Sequence, residues 1–307
     1  LWQYPSEQFA SMAQRLVENR MVELVRNAVG QAGESRVAVS GGLFSNIKVN
    51  QRVQEMDEVD RLYVFPHMGD GGLALGAALG GKDLHDLPAS RRLGHLYLGP
   101  QPTDQETSTA LNRCGMPFRR TRDPAGEAAR LVLRGEIVLW FQGRMEYGPR
   151  ALGNRSILAR PDDPRLKDRL NLALKKRVWY QPFCPSLLAE DAETLLELRE
   201  AALEDTPFMT SAFRVRPEHR ERMAGVMNVD GTCRPHFVGR ENPTFRELLL
   251  RVKEALGVGA VLNTSFNVHG DPLVFRPEDA LGTLERTGVR FLFLEAWVVE
   301  NPHAQAV

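Results

Sequence analysis

Two short segments rich in β-branched and aromatic residues, each followed by glycine and a helical pattern, constrain the fold of this chain more than any other feature. Residues 36–40 lead through a pair of glycines to a helix predicted from Ser45, and residues 62–65 lead through a glycine-rich turn to a helix over 73–79. Two such units in succession predict an α/β domain with parallel strands. Because two strands cannot bury a full core alone, we expect this segment to be half of a larger domain.

The sequence before the first strand predicts one long amphipathic helix over residues 6–32. Its apolar positions include Phe9, Met12, Leu16, Leu24 and Ala28. Leu1 stands where a complete chain carries Met, and the helix follows at once, so we expect the sequence to begin partway through a fold. Residues 80–92 mix glycine, charge and proline, and we place a domain boundary there, after residue 88.

The rest of the chain carries denser secondary-structure signals. Apolar periodicity and capping residues predict helices over 103–114, 123–134, 163–176, 191–203, 244–256 and 278–287. Apolar runs predict strands over 96–98, 137–141, 213–215, 237–238, 260–262 and 291–299. Residues 178–188 contain two prolines, which favour an extended edge strand. Together these patterns predict a second, mixed domain over 89–307.

Composition argues against several functional classes. Lys plus Arg and Asp plus Glu each number 39 among 307 residues, so the charge balance points neither to a nucleic-acid scaffold nor to a membrane surface. Cys114, Cys184 and Cys233 form no CxxC pair, which argues against a disulfide framework and a structural zinc site. No apolar run reaches transmembrane length and no signal-peptide pattern opens the chain, so we expect a cytoplasmic protein.

The strongest candidate site is the arginine loop, residues 143–156. It carries Arg144, Arg150 and Arg155 on a backbone that glycines keep open, and it follows the strand predicted over 137–141. Guanidinium groups match phosphate and carboxylate oxygens two at a time. The loop therefore predicts an anion site at a strand exit, and the alternative is a solvated loop whose arginines pair with nearby acids.

Three further clusters border predicted strands in the same domain. They are the basic residues 175–177, Arg234 and the polar segment 263–267. Together they supply positively charged donors with hydroxyl and amide groups. This combination can bind phosphoryl oxygens and a planar carbonyl group. The alternatives stay open: Lys175 is also typical of a solvated helix end, and Asn263 and Asn267 of a cap or a turn.

The first domain offers two weaker candidates. Gly41 and Gly42 follow a strand and could receive phosphate on the backbone amides of the next helix. Asp70 lies between glycines at a strand end, where a carboxylate could bind a metal ion or simply cap the helix that follows.

Five blocks, in order along the chain, resemble those of the NodU/CmcH-type O-carbamoyltransferases. The arginine loop is the most specific of these blocks, which are residues 40–46, 69–72, 143–156, 175–185 and 262–267. The resemblance implies that residues 1–88 are the C-terminal half of an actin-like (ASKHA) α/β domain. It also implies that residues 89–307 form a YrdC-like twisted-sheet domain, so that the whole fold combines α/β and α+β parts.

The resemblance also implies an enzyme that uses ATP and carbamoyl phosphate. In such enzymes the YrdC-like domain forms carbamoyl-AMP and releases phosphate and pyrophosphate. The actin-like domain, with a divalent metal such as iron or magnesium, then passes the carbamoyl group to a substrate hydroxyl. We expect a small natural product as the acceptor, as in antibiotic biosynthesis. A dry, cationic pocket suits this chemistry, because it protects an unstable carbamate and neutralises the leaving pyrophosphate.

Carried over position by position, the resemblance gives each candidate a role. The positions implied in catalysis are Lys175, Arg150, Arg234 and Ser265. The positions implied in contacts with nucleotide or carbamoyl phosphate are Gly41, Gly42, Arg144, Asn154, Arg155, Arg177 and Asn267. Asp70 matches a metal-ligand aspartate, and its co-ligands belong to paired histidines of the N-terminal half of the actin-like domain.

Two departures from the family pattern qualify these expectations. After residues 175–177 the family often continues with Glu and then Phe-Arg, whereas Val178, Tyr180 and Gln181 stand here. The N-terminal half of the actin-like domain is also absent from the sequence, so we expect it as a partner, beside the small-molecule acceptor. The protein could also form a homodimer, and we expect no nucleic-acid or membrane partner.

Two other functions compete with carbamoyl transfer. One is a non-catalytic nucleotide- or anion-binding remnant. The other is a threonylcarbamoyl-type adenylate synthase acting on tRNA, against which the neutral charge balance speaks.

Overall fold

The computed structural model describes residues 4–84, 93–199 and 201–304, with the backbone alone for 82–84. The helices in chain order are α1 (Ser6–Ala32), α2 (Ile47–Gln54), α3 (Leu73–Leu84), α4 (Asp104–Arg113), α5 (Pro124–Leu133), α6 (Pro164–Arg169), α7 (Ala192–Leu195), α8 (Ala202–Asp205), α9 (Pro243–Leu256) and α10 (Pro277–Thr287). The strands are β1 (Arg36–Val39), β2 (Arg61–Val64), β3 (Phe118–Arg120), β4 (Val138–Phe141), β5 (Arg155–Ala159), β6 (Cys184–Leu188), β7 (Leu196–Glu197), β8 (Phe213–Val215), β9 (Thr232–Cys233), β10 (His236–Val238), β11 (Ala260–Ser265), β12 (Phe291–Leu294) and β13 (Trp297–Glu300).

The chain divides into two compact units. The first unit comprises residues 1–90 together with 198–213, and the second comprises 91–197 and 214–307. The boundary that we predicted after residue 88 lies outside the described residues. The sequence-based division did not predict that residues 198–213 belong to the first unit.

The first unit contains the two strand–glycine–helix repeats. β1 and β2 pair in parallel from Arg36 opposite Arg61 to Val39 opposite Val64, which confirms the predicted pairing. A small core forms between this pair and two helices, and its fully buried members include Val49 and Val53 of α2. The glycine-bearing turns that follow β1 and β2 consequently lie at the same edge of the sheet.

Helix α1 spans the residues predicted from the sequence, but the apolar positions that we identified on it are exposed. The buried face carries Met21 and Val25, whereas the exposed positions are Phe9, Met12, Leu16, Leu24 and Ala28. The helix therefore has two apolar stripes, and only one of them packs against the core of its own unit. Periodicity alone does not distinguish two such stripes.

Residues 198–213 are tied to the rest of the first unit by polar contacts. The Arg61 guanidinium donates to both carboxylate oxygens of Asp205, from Nε at 2.8 Å and from Nη2 at 2.6 Å. The Asn50 side chain is fully buried and donates through Nδ2 to the Thr210 carbonyl oxygen at 2.7 Å. These bonds join parts of the chain that are far apart in sequence.

The second unit is built on an eight-stranded mixed sheet with the order β10-β6-β11-β5-β4-β12-β13-β3. The β10–β6 and β12–β4 pairs are parallel and the other neighbours are antiparallel. Helices α5 and α9 pack together, and their apolar faces join strand residues such as Trp140 and Phe293 in one core. The unit is thus a mixed α/β fold, as predicted. A small sheet of β7, β8 and β9 accompanies it.

Strand β6 is an interior strand, which corrects the predicted edge strand over 178–188. It lies between β10 and β11, and all five of its residues are buried. β6 pairs with β10 only from Ser186 onward. At Pro185 it therefore has one paired neighbour, which is β11. This placement lets a proline, which lacks a backbone N–H, enter an interior strand.

Three other sequence-based elements differ in the structure. The strand predicted over 291–299 is the hairpin of β12 and β13, turned at Glu295, whose φ of 53° is left-handed. The helix predicted over 191–203 is interrupted, because β7 follows α7 at Leu196. Residues 96–98 form no regular strand, although the backbone N–H of Tyr147 donates to the Leu96 carbonyl oxygen at 2.7 Å.

Candidate anion-binding site

The arginine loop is organised around a buried carboxylate. Glu146, only 4% exposed, accepts hydrogen bonds on Oε1 from the backbone N–H groups of Leu152, Asn154 and Arg155, at 2.7, 2.8 and 3.0 Å. A carboxylate that receives three amides fixes the path of the backbone between them. Sequence reasoning missed Glu146, because nothing in the sequence separates it from a solvated glutamate.

Close packing also fixes the second half of the loop. Gly153 has a φ of +94°, and a Cβ built on it would lie 2.3 Å from the ring of Phe245. Only glycine fits this conformation and this contact. The loop therefore holds the residues on either side of Gly153 in one arrangement.

Arg155 lies inside the loop. Its side chain is fully buried, its Cζ lies 3.5 Å from the centre of the Phe141 ring, and its guanidinium donates to the carbonyl oxygens of Gln142, Gly143 and Asn154. Burial lowers the pKa of Arg155 to about 10. These contacts support the loop, and the implied ligand contact of Arg155 stays a prediction.

Asn154 and Arg144 are likewise used within the protein. The Asn154 Oδ1 accepts from Gln142 and Asn242, both at 2.9 Å, and its Nδ2 donates to the Arg144 carbonyl oxygen. The exposed Arg144 guanidinium donates to the Leu98 carbonyl oxygen at 2.8 Å. These bonds hold the loop against neighbouring segments, and the implied ligand roles of both residues stay predictions.

Three arginines from separate sequence clusters meet around Cys184 at the start of β6. Arg234 donates from Nε to the Cys184 Sγ at 3.0 Å, and Arg177 places its Cζ 4.6 Å from the centre of the Phe183 ring. Arg150 makes no hydrogen bond within the described ranges, and none of the three arginines pairs with a described carboxylate. Burial, followed by the charge of Arg234, lowers the pKa of Arg150 to about 10. Partly buried positive charge without a carboxylate partner favours a bound anion, because buried charges are normally paired.

Lys175 joins the exit of β11 to this arginine cluster. Its Nζ donates to the carbonyl oxygens of Ser265 and Asn267, at 2.5 and 2.8 Å, and to the Asn267 Oδ1 at 2.8 Å. The ammonium group is 2% exposed, and burial together with the charge of Arg177 lowers its pKa to about 7. The structure thus brings Lys175, Ser265 and Asn267 together, and their implied roles in catalysis and ligand contact stay predictions.

The lowered pKa of Lys175 predicts a pH dependence of stability. Between pH 7 and the ordinary lysine value of about 10.4, the unfolded chain binds a proton that the folded chain does not, so the free energy of unfolding rises with pH, by at most about 1.4 kcal/mol per pH unit. Urea unfolding at pH 7 and pH 9 measures this slope. Lys175→Met should remove it, and an equal slope in both proteins would contradict the assignment.

A buried polar network lies beneath the site. Asn263 donates through Nδ2 to the Ala151 carbonyl oxygen at 3.0 Å and to the Ser186 Oγ at 2.8 Å, and Ser186 bonds the His236 Nδ1 at 3.0 Å. Burial lowers the pKa of His236 to about 3, so the imidazole is neutral. Asn263 thereby anchors the residue next to Arg150. Sequence reasoning missed Ser186 and His236, whose only signal was polarity within apolar strands.

In the first unit, the structure brings the two glycine-bearing turns together. The backbone N–H of Gly41, with a φ of 114°, donates to the Met68 carbonyl oxygen at 2.7 Å, and Gly42 opens the short helical turn that follows. Asp70 is exposed, and the described residues contain no cluster of three or more metal-ligating side chains. These residues do not form a metal site by themselves, and no step below uses a metal. The implied ligand roles of Gly41, Gly42 and Asp70 stay predictions.

The second unit is a mixed α/β fold that carries a cluster of arginines without a described carboxylate partner. Two family descriptions match the sequence: Carbamoyltransferase N-terminus over residues 1–79 and Carbamoyltransferase C-terminus over residues 129–301. The second match spans more than half of the chain, and the chain therefore belongs to the carbamoyltransferase family. This result confirms the resemblance drawn from the five sequence blocks.

Curated relatives support the same family. An uncharacterised protein of Methanocaldococcus jannaschii is 38% identical over 96% of this chain and 49% of its own length. Nodulation protein NolO of Bradyrhizobium diazoefficiens is 36% identical over 94% of this chain and 53% of its own length, and nodulation protein U of Rhizobium tropici is 30% identical over 78% and 39%. The chain spans about half the length of the curated relatives it matches.

Comparison with solved structures gives low scores. Full-length HypF in the phosphate- and nucleotide-bound form overlays with a TM-score of 0.39 at 18% identity, covering 55% of this chain and 21% of that chain. HypF of T. kodakarensis gives 0.37 at 16% identity, with 56% and 22% covered. These scores are too low to support a conclusion. Among the helices that the structure describes, none has the length and hydropathy needed to span a membrane.

Proposed function

We propose that the second unit forms carbamoyl-AMP from carbamoyl phosphate and ATP, and that the chain is the corresponding part of an O-carbamoyltransferase. The observation that carries this proposal is the meeting of Arg150, Arg177 and Arg234 without a described acidic partner. Family membership supports the same chemistry. We further propose that this unit is YrdC-like, which its mixed sheet and cationic strand exits would suit.

The proposed reaction has two balanced steps. Water first cleaves carbamoyl phosphate to carbamate and inorganic phosphate. A carbamate oxygen then attacks the α-phosphorus of ATP, forming the new P–O bond of carbamoyl-AMP while the bond to pyrophosphate breaks. Both steps release anions, and three guanidiniums without a described carboxylate partner would stabilise that developing charge. Lys175 and the segment it holds would position the reacting groups.

Transfer of the carbamoyl group is proposed for the first unit as part of a larger actin-like domain. The exposed apolar stripe of α1 and a cavity of about 290 Å³ beside β1, β2 and α3 are surfaces that such a domain would cover. We propose that the half of the relatives that this chain does not match covers them and supplies the co-ligands of Asp70. The acceptor is proposed to be a hydroxyl group of a small natural product.

Isotope exchange tests the first half-reaction directly. We expect labelled pyrophosphate to enter ATP when carbamoyl phosphate is present and to stay out when it is omitted. Exchange requires only the second unit, so it does not depend on the acceptor or on the rest of the actin-like domain. Folded protein that binds ATP and carbamoyl phosphate in calorimetry without exchange would instead support the non-catalytic remnant. Exchange driven by threonine and bicarbonate in place of carbamoyl phosphate would support the tRNA-directed synthase.

A further inference from the structure

An exposed aromatic turn, residues 178–181, adjoins the arginine cluster. Trp179 and Tyr180 are each 62% exposed and Val178 is 46% exposed. Their neighbour Leu172 is 59% exposed, so four of the eight large exposed hydrophobic side chains in the described part of the second unit lie within residues 172–180. Such a concentration of apolar surface marks a binding site more often than chance exposure does.

The two aromatic rings form a corner. The Trp179 and Tyr180 ring centres are 5.8 Å apart, and the ring planes meet at 85°. A flat ligand could stack on one ring while its edge contacts the other, because aromatic groups favour offset-stacked and edge-to-face contacts.

One buried side chain fixes the aromatic turn to the arginine cluster. Asn171 is fully buried, and its Nδ2 donates to the carbonyl oxygens of Trp179 and Gln181, both at 2.9 Å. Its Oδ1 accepts from the Arg177 Nε at 2.7 Å, and its carbonyl oxygen accepts from the Arg177 backbone N–H at 2.9 Å. A single amide therefore sets both the position of a cluster cation and the path of the aromatic turn.

The backbone that carries these residues is unusual. Residues Leu170–Leu174 form a π-helical turn, and Lys176 adopts a left-handed φ of 50° although it is not glycine. Both features are rare and are concentrated at functional sites, because a protein keeps an unfavourable backbone where the surrounding contacts require it. Here they bring Asn171 beneath the turn.

We propose that the aromatic turn is the stacking platform for the nucleobase of ATP, whose phosphates bind the neighbouring arginines; this inference rests on the proposed function. A nucleotide joins a polyanion to a flat π-system, and this surface joins unpaired guanidiniums to exposed aromatic rings through Asn171. Stacking on aromatic side chains suits any base, because every base has a π-face. Tyr180, one of the positions that depart from the family pattern, thus becomes part of the base-binding surface.

Calorimetric titration of the full chain with ATP and with tripolyphosphate tests the platform. Trp179→Ala should weaken ATP binding about five- to 150-fold, the range of alanine substitutions at stacked bases, and leave tripolyphosphate affinity unchanged. Trp179→Phe should keep most of the ATP affinity. Val229→Ala, a change at an exposed apolar residue outside residues 172–180, should leave both affinities unchanged. Because Trp179 is largely exposed, its substitution should not disturb folding, which thermal unfolding checks.

The outcomes separate this inference from the function on which it rests. If the unaltered chain binds neither ATP nor tripolyphosphate, the proposed function fails together with the platform. If it binds both and Trp179→Ala binds ATP as tightly as before, the platform alone is wrong, and the patch is a contact for another apolar partner. A parallel fall in ATP and tripolyphosphate affinity would also overturn stacking, because tripolyphosphate carries no base.

Discussion

Arg150→Ala is expected to reduce carbamoyl-phosphate-dependent exchange by about 10²- to 10³-fold, the cost of removing one preorganised donor to a developing negative charge. Arg150 has no hydrogen-bond partner among the described residues, so its removal breaks no hydrogen bond there. Exchange of pyrophosphate into ATP measures the loss, and thermal unfolding should show a midpoint close to that of the unaltered chain.

Two variants make this result specific. Arg150→Lys keeps the charge but not the planar fork, so it should recover only a small part of the lost rate. Arg214→Ala, an exposed arginine on β8, should leave the rate unchanged. If Arg150→Ala exchanges pyrophosphate at the rate of the unaltered chain, Arg150 is not part of the site.

Glu146→Ala is expected to destabilise the second unit by about 3–5 kcal/mol, because three backbone amides and the buried Arg155 lose the same carboxylate. For a unit of this size that corresponds to a fall of roughly 6–20 °C in Tm. Differential scanning calorimetry gives the midpoint. Exchange should fall as well at temperatures where the protein is still folded, since the loop would no longer hold Arg150.

Glu146→Gln is the matched variant for this prediction. Its amide oxygen can still accept hydrogen bonds from the backbone N–H groups, although it carries no charge. Glu146→Gln should therefore lose less than half of the stability that Glu146→Ala loses. If Glu146→Ala has the same Tm as the unaltered chain, then Gly153 and the packing of Phe245 fix the loop without the carboxylate.

Residue type indicated the candidate anion site, but it did not indicate which arginines would serve it. Arg144, Arg150 and Arg155 look alike in sequence, yet Arg155 is buried on Phe141, Arg144 bonds a main-chain carbonyl and Arg150 is unpaired. Glu146 binds the backbone amides of Leu152, Asn154 and Arg155, so contacts within the folded loop, and not residue type, decide where each arginine lies. Contacts between main-chain amides and one carboxylate leave no periodic signal in a sequence.

Local structure followed from the sequence better than long-range pairing did. The periodic patterns of α1 and α9 predicted their positions, because a helix is defined by contacts within a few residues. The interior place of β6 and the β12–β13 hairpin depend on partners elsewhere in the chain. The apolar content of a segment indicates that a strand is buried, but it does not indicate which strand lies beside it.

The return of residues 198–213 to the first unit has a consequence for synthesis. At typical ribosomal rates of about 5–20 residues per second, the segment that carries Asp205 and Thr210 emerges roughly 6–25 s after residue 90. Until then Arg61 lacks its bidentate partner and the buried amide of Asn50 lacks its acceptor in Thr210. The unit encoded first is therefore completed only after much of the second has been made, and the nascent chain must keep its N-terminal part from aggregating in the interval.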